Sequence, residues 1–299
     1  MKRKLMKVGD SSALISLPYK WVQENNLKKG DELDVTEKGN TLVIGAETTK
    51  SREGSFDFSS YPLFLIQKMI ARIYEMGYDK VTIKYSTLEQ VKTIEGRLPE
   101  LMGFELIDLG QSSVVVQDIS TANTLDFDNL MRKAFMVTKN MFNTIIDDMK
   151  NNDLSRLDTI KELDLKLNKF TYFCLRQINK NIVASEEAYV LFYLAKSLED
   201  LGDIIKRFID ELKEYNKVDK LVLDTLIQID ELFNTAYDFF YKPQMHLAVD
   251  SLKLNDQILE TIKESSKKTN NQVPLLMHLS QMARKIYHFP TLRLHTLVE

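Results

Sequence analysis

The sequence predicts an α+β protein of several domains, and three observations carry that prediction. Residues 1–47 run in short apolar-polar alternations broken by glycine. Residues 60–118 mix helical spacing with strand-like runs such as "KVTIKY" and "SVVVQDI". From Leu125 onward glycine nearly vanishes and apolar residues recur at helical intervals. Alternation with period two marks half-buried strands, and recurrence at three and four residues marks amphipathic helices.

The 299 residues suggest about two domains or more. Charged residues make up 28% and the net charge is −3. That balance argues against a chain that coats nucleic acid along its whole length, while leaving room for a local basic patch. Nowhere do about 18 apolar residues run without a charge, so no membrane span is expected. The start "MKRKLMKVGD" has a basic front but no apolar segment after it, so it does not read as a signal peptide. The lone cysteine, Cys174, sits within "KFTYFCLRQIN" and reads as a helix core residue in a reducing, cytoplasmic setting.

In the first unit, "KLMKVG" and "SSALISLP" read as two strands around Gly9-Asp10. Pro18 opens a short helix, "PYKWVQENN", since proline suits a helix start. Leu27 and Gly30 close the following turn. "DELDV" and "TLVIGA" are two further strands joined by the glycine-containing "TEKGN". A unit this small cannot bury enough apolar surface to stand alone, so it is expected to pair with a second copy or to dock elsewhere. Lys2, Arg3, Lys4 and Lys7 crowd the first strand, with no acid before Asp10. A segregated basic strand suits a phosphate backbone. It also suits an edge strand protected from aggregation by its lysines.

The order of basic strand, glycine turn, Leu17-Pro18, Leu27 and Lys29-Gly30-Asp31 resembles the AbrB/SpoVT/MazE family of swapped-hairpin DNA-binding domains. The resemblance covers residues 1–47. It implies an intertwined homodimer whose strands share one small β-barrel, with DNA contacts from Arg3, Lys4, Lys7, Asp10, Ser11 and Ser12. Asp10 follows the turn glycine where some members carry arginine. Relatives of the MazE type also use this unit to bind protein partners.

Residues 48–59 are polar and read as a linker. Residues 60–118 read as a small α/β spacer domain: helix "LFLIQKMIARIYEMG", strand "KVTIKY", a helix broken near Pro99, and strands "FELIDL" and "SVVVQDI". No G-x-G-x-x-G and no P-loop occurs there. Tyr78-Asp79 and Gly103-Phe104-Glu105 read as turns at strand starts.

Residues 119–299 read as a helical bundle in two repeats of three helices, about 125–213 and 218–299. Ser155 is expected as an N-cap of the second helix. The most informative stretch is "AKSLEDLGDIIKRFIDEL". Glu199 and Asp203 lie four residues apart, so both carboxylates share a face. Like charges at that spacing repel unless a cation lies between them. The plain alternative pairs Asp203 with Arg207 and leaves Glu199 to water. Gly202 costs helix stability but lets a neighbouring helix come close.

"LEDLGDII" resembles the signature of the PhoU family of phosphate-signalling helical bundles. "MRKAFMVTKNMF" and "ELDLKLNKFTYFCLRQ" resemble that family's first two helices, and the six-helix layout matches its doubled bundle. The whole order is similar to an archaeal type of phosphate uptake regulator. The resemblance implies a metal ion, divalent or iron, in the first repeat on Asp164, Glu199 and Asp203, with Asn168 one turn beyond Asp164. In the second repeat Ser280 and Arg284 occupy the acidic positions, and no metal is carried there. His246, His278, His288 and His295 show no metal-ligand spacing.

The sequence thus points to a cytoplasmic, homodimeric, phosphate-responsive transcription regulator that binds DNA through its first domain. The alternative is an adaptor in phosphate signalling that docks on a transporter or sensor kinase. No nucleophile–base constellation or phosphate cradle is visible, so enzymatic activity is not expected.

Overall fold

The computed structural model describes residues 2–8, 12–38, 41–46, 51–120, 127–153, 155–180, 187–267 and 272–297. The chain divides into two compact units, Met1–Ser51 and Arg52–Glu299.

In the first unit, β1 (Met6–Val8) pairs antiparallel with β2 (Ser12–Leu14). A one-and-a-half-turn helix, α1 (Tyr19–Glu24), follows Pro18, which stands at the N-cap. Then β3 (Leu33–Lys38) pairs antiparallel with β4 (Thr41–Ala46). The turn between α1 and β3 needs its glycine: Gly30 has φ +99°, a left-handed conformation that side chains resist. Asp31 closes the same turn by accepting a 2.7 Å hydrogen bond from the Lys28 amide. Sequence alternation located all four strands, although β1 and β2 are shorter than the runs suggested. Among the described residues of one chain they form two separate two-stranded sheets rather than a barrel.

The second unit begins with a correction. The stretch 48–59, read as a linker, contains β5 (Glu53–Asp57), which pairs in parallel with β6 (Lys80–Lys84). Its small and polar residues hid the strand, but Phe58, just beyond it, is buried. α2 (Leu63–Glu75) connects β5 to β6, and α3 (Leu88–Arg97) leads on to β7 (Phe104–Leu109) and β8 (Ser113–Asp118). The sheet order is β5-β6-β8-β7, with both β8 pairings antiparallel. α3 starts on a capping box between Thr87 and Gln90. It ends in a 3-10 turn, Leu98–Glu100, at the break the sequence placed near Pro99. Ile66, Ile70, Ile73 and Tyr74 of α2 are buried along one stripe, as are Val81, Ile83, Val114 and Val116 of the strands, which makes one hydrophobic layer.

Among the described residues six helices follow: α4 (Phe127–Asn151), α5 (Thr159–Asn179), α6 (Ala188–Leu212), α7 (Lys220–Tyr241), α8 (Met245–Ser266) and α9 (Val273–His295). Ser155 does not cap α5. It opens a 3-10 turn, Ser155–Asp158, and α5 starts after it. Within each group of three, successive helices pack together; α4 also packs on α7, and α6 on α9. Phe135, Phe142, Phe233 and Phe289 form an aromatic cluster joining α4, α7 and α9. The apolar residues of α6 recur at helical spacing: Leu194, Leu198, Leu201, Ile205, Phe208 and Leu212 are buried, and Leu191 at its start is partly buried.

The α/β layer is not an independent spacer. It shares one compact unit with the helices, with α2 and the turn after α3 packed on α5. Arg176 of α5 pins the two together. Its guanidinium donates to the Tyr74 and Tyr78 carbonyls at 3.0 and 2.6 Å. It also donates to Asp79 and Asp118 at 2.7 and 2.8 Å, with its side chain only 3% exposed. Asp79, read as a turn residue, is therefore half of a buried clamp. Burial works to raise its carboxyl, but Lys180, the Arg52 amide and Arg176 hold it below the usual range.

Candidate functional site

In the first unit, strand pairing sorts the side chains by face. Met6, Val8, Leu14 and Ser12 share one face of the β1-β2 hairpin, and Lys7 and Ala13 share the other. Leu33, Val35, Leu42 and Ile44 share one face of β3-β4. No described residue of this unit is buried, and Val35 and Leu42 are 60% and 64% exposed. Two apolar hairpin faces in water are unstable alone, so a single chain leaves this unit incomplete.

Arg3, Lys4, Lys7 and Ser12 of the expected DNA-contacting set are all exposed. Lys7 stands on the face opposite the apolar one. Ser12 lies on the apolar face instead. Asp10 and Ser11 fall outside the described residues.

In the second unit, the three acids expected around a metal divide between two lysines. Lys206 lies between Asp164 Oδ2 at 2.7 Å and Asp203 Oδ1 at 2.8 Å. Glu199 turns the other way: its Oε1 accepts from Tyr172 at 3.0 Å, and its Oε2 pairs with Lys196. Asp203 therefore pairs with Lys206 rather than Arg207. Each carboxylate of the Glu199–Asp203 pair is answered by its own lysine from the same helix, Lys196 for Glu199 and Lys206 for Asp203. As arranged, these residues do not fit a metal centre, because Lys206 fills the gap between the two aspartates. Among the described residues no group of three or more His, Cys, Asp or Glu is placed to hold a metal.

Burial pushes the Asp164 carboxyl above its ordinary value, against the pull of Lys206. Burial would lower the Lys206 ammonium, but its bonds to both aspartates more than offset that and hold it high. Gly202 makes the arrangement possible. A Cβ there would sit 2.7 Å from Leu167 Cδ2 and 2.9 Å from Asp164 Oδ1, which bears out the close helix approach expected from this glycine.

The polar chain continues beyond the acids. Asn168 donates to Asp164 at 3.3 Å and to Glu100 at 2.9 Å. Glu100 pairs with Arg97 at 2.6 Å, and Arg97 donates to the Tyr172 hydroxyl at 2.6 Å, which leads back to Glu199. A chain of charged and polar groups, from Lys206 at one end to Lys196 at the other, thus ties α5 and α6 to the end of α3. Sequence reading found Asp164, Asn168, Glu199 and Asp203 but missed Arg97, Glu100, Tyr172 and Lys206. Lys206 was legible: it lies three residues from Asp203, within helical pairing reach. The others are distant in sequence and meet only through the docking of the α/β layer.

The small strand-rich unit is the part that known proteins illuminate. Residues 6–54 match the family model described as antidote-toxin recognition MazE, bacterial antitoxin. No curated protein and no solved structure matches the chain. The match supports the AbrB/MazE-type reading of the first unit and is consistent with DNA-binding regulation. It ends at residue 54, inside β5, and covers neither the rest of the α/β layer nor the helices that follow. No described helix is long and apolar enough to cross a membrane.

Proposed function

We propose that this chain is a homodimeric, DNA-binding transcription regulator whose second unit receives the signal. One observation carries the reading: a unit matching a MazE-type model leaves both hairpin faces uncovered in a single chain, with its basic strand segregated at the front. A second copy covers those faces, doubles the basic strand and gives two-fold symmetry for a DNA site. The resemblance of "LEDLGDII" and the six-helix order to PhoU makes phosphate supply the signal we assign.

The test is DNA binding by the full chain as a function of salt. Replacing Arg3, Lys4 and Lys7 with Ala should weaken binding on many sequences alike. It should also reduce the slope of log K against log salt by up to roughly 5, since the dimer loses six such side chains and each phosphate neutralised by one adds about 0.9 to that slope. An unchanged slope makes this strand an anti-aggregation edge. The matched family's printed description, toxin recognition, favours a second reading in which the first unit grips a protein partner and the chain is an adaptor. Dimers with no salt-dependent DNA affinity would select it.

A further inference from the structure

The outer groove between α6 and α9 belongs to neither the Asp164–Lys206 path nor the first unit. It forms an open cleft of about 430 Å³, within the range of sites for small metabolites. Arg207 comes from α6, and Gln281, Arg284, Lys285 and His288 come from α9.

The acids in the cleft are already committed. Asp200 pairs with Lys285 at 3.0 Å and Lys196 at 3.4 Å, and Asp203 pairs with Lys206. Arg207 and Arg284 have no ion pair or hydrogen bond to another side chain among the described residues, and both are exposed. Two guanidinium groups from facing helices thus line one cleft whose two aspartates, Asp200 and Asp203, are each paired with lysines.

The two halves of the bundle make the charge at this place informative. α5 carries Leu165-Lys166-Leu167-Asn168 and α8 carries Leu252-Lys253-Leu254-Asn255. Aligning these runs sets Asp164 against Ser251; on the next helix, matching the buried stripes of α6 and α9 (Leu198 to Leu279, Ile205 to Ile286, Phe208 to Phe289) sets Asp203 against Arg284 and Gly202 against Ala283. The first half is acidic and filled by its own lysine. At the matching helix position the second half turns cationic, and its arginine opens onto solvent with no ion pair to a described side chain.

We propose that the α6/α9 cleft binds a small phosphorylated metabolite, held at its phosphate by Arg207 and Arg284. A guanidinium presents planar paired donors that match oxyanions. A carboxylate has one charge and two oxygens, which a single arginine satisfies. A phosphate ester carries about −1.5 to −2 charge and three terminal oxygens, which suits two arginines. The remaining volume, with Ile204, Gln281 and His288 on its walls, accommodates the organic part. Burial and Lys285 hold His288 below the usual histidine range, so it faces that part as a neutral group able to donate or accept. The proposal concerns the second unit alone and does not depend on DNA binding by the first.

The test is calorimetry and thermal unfolding of the full chain with glucose 6-phosphate and adenosine 5′-monophosphate. Glucose and adenosine serve as controls, with sulfate at matched ionic strength. At least one phosphorylated probe should bind saturably and raise the unfolding temperature more than sulfate does, while the unphosphorylated partners do nothing. Arg207→Ser/Arg284→Ser should weaken binding roughly tenfold or more, by about 1.4 kcal/mol or above. Both residues are exposed, so the fold should survive. Arg207→Lys/Arg284→Lys, which keeps the charge but loses the fork, should bind with intermediate affinity. The Arg3, Lys4 and Lys7 alanine variant should bind like wild type. Failure of both phosphorylated probes at millimolar concentration overturns the proposal. So does equal binding by the serine variant, or loss of binding in the first-unit variant, which would place the anion on the basic strand.

Discussion

Residues 2–46 and residues 52–297 solve the burial problem in opposite ways. The first unit buries none of its described side chains within one chain. The second encloses Tyr74, Tyr172 and a run of phenylalanines at under 2% exposure and locks its layers with a buried arginine. The same period-two alternation occurs in β1 and in β6, but only β6 has a helix of its own chain to pack against. A unit that leaves its apolar faces open can be completed only from outside. A unit with a closed core can carry buried charge and still fold.

The largest effect should come from breaking that external completion. Leu14→Asp together with Val35→Asp places charges on both uncovered faces. Sedimentation should show loss of the dimer and gel shift loss of DNA binding, while the denaturation of the second unit is unmoved. A dimer that persists would place the association elsewhere in the chain.

Next comes the clamp inside the second unit. Arg176→Met removes the guanidinium but leaves Asp79 and Asp118 with only part of their charge answered. Breaking a buried pair from one side costs about 3–5 kcal/mol. Urea unfolding should show that loss. A cost below about 1 kcal/mol would mean that the α/β layer docks on α5 by apolar contact alone.

Glu75 gives the second unit a pH dependence of its own. Burial raises its carboxyl from 4.5 to about 7, against Arg72. Between those values the folded chain keeps a proton that the unfolded chain has released. The resulting stability is fully present below pH 4.5 and is lost as the pH rises through 7. Glu75→Gln should flatten this slope and leave the protein more stable above neutrality, by on the order of 2–3 kcal/mol. Unfolding curves between about pH 5 and 8.5 check it, and parallel profiles for wild type and variant would remove Glu75 as the cause.

The smallest expected effect compares matching positions on α6 and α9. Gly202→Ala gains about 1 kcal/mol of helix propensity, but its Cβ would press on Leu167 and Asp164, and overpacking costs about 1–3 kcal/mol. Net destabilisation of up to roughly 2 kcal/mol is expected from these two terms. Ala283→Gly, at the matching position of the second half, should cost about 1 kcal/mol through propensity and reduced burial. A stabilising Gly202→Ala would show that the α5–α6 contact has slack.

Elements whose signal is local were legible. The four short strands, the turn at Gly30, the helix break near Pro99 and the buried stripe of α6 each follow from neighbours a few residues apart. β5 was not, because Gly54 and Ser55 carry no alternation, and the strand exists through its pairing with β6. In the candidate site, sequence located Asp164, Glu199 and Asp203 and the demand for a positive charge between carboxylates. It could not say that Lys206 would also reach Asp164 on α5, or that Glu199 would accept from Tyr172 as well as pair with Lys196.

By itself, then, the sequence determined which segments are strands and helices, where the basic strand and acidic helix face lie, and that the first unit lacks a core. Those properties depend on backbone geometry and residue chemistry within one or two turns. The tertiary structure alone decided that Arg176 joins Asp79 to Asp118, that Tyr172 links Arg97 to Glu199, and that Arg207 and Arg284 share a cleft. Each joins groups tens of residues or more apart in sequence, and only packing sets the distances over which ion pairs and hydrogen bonds act.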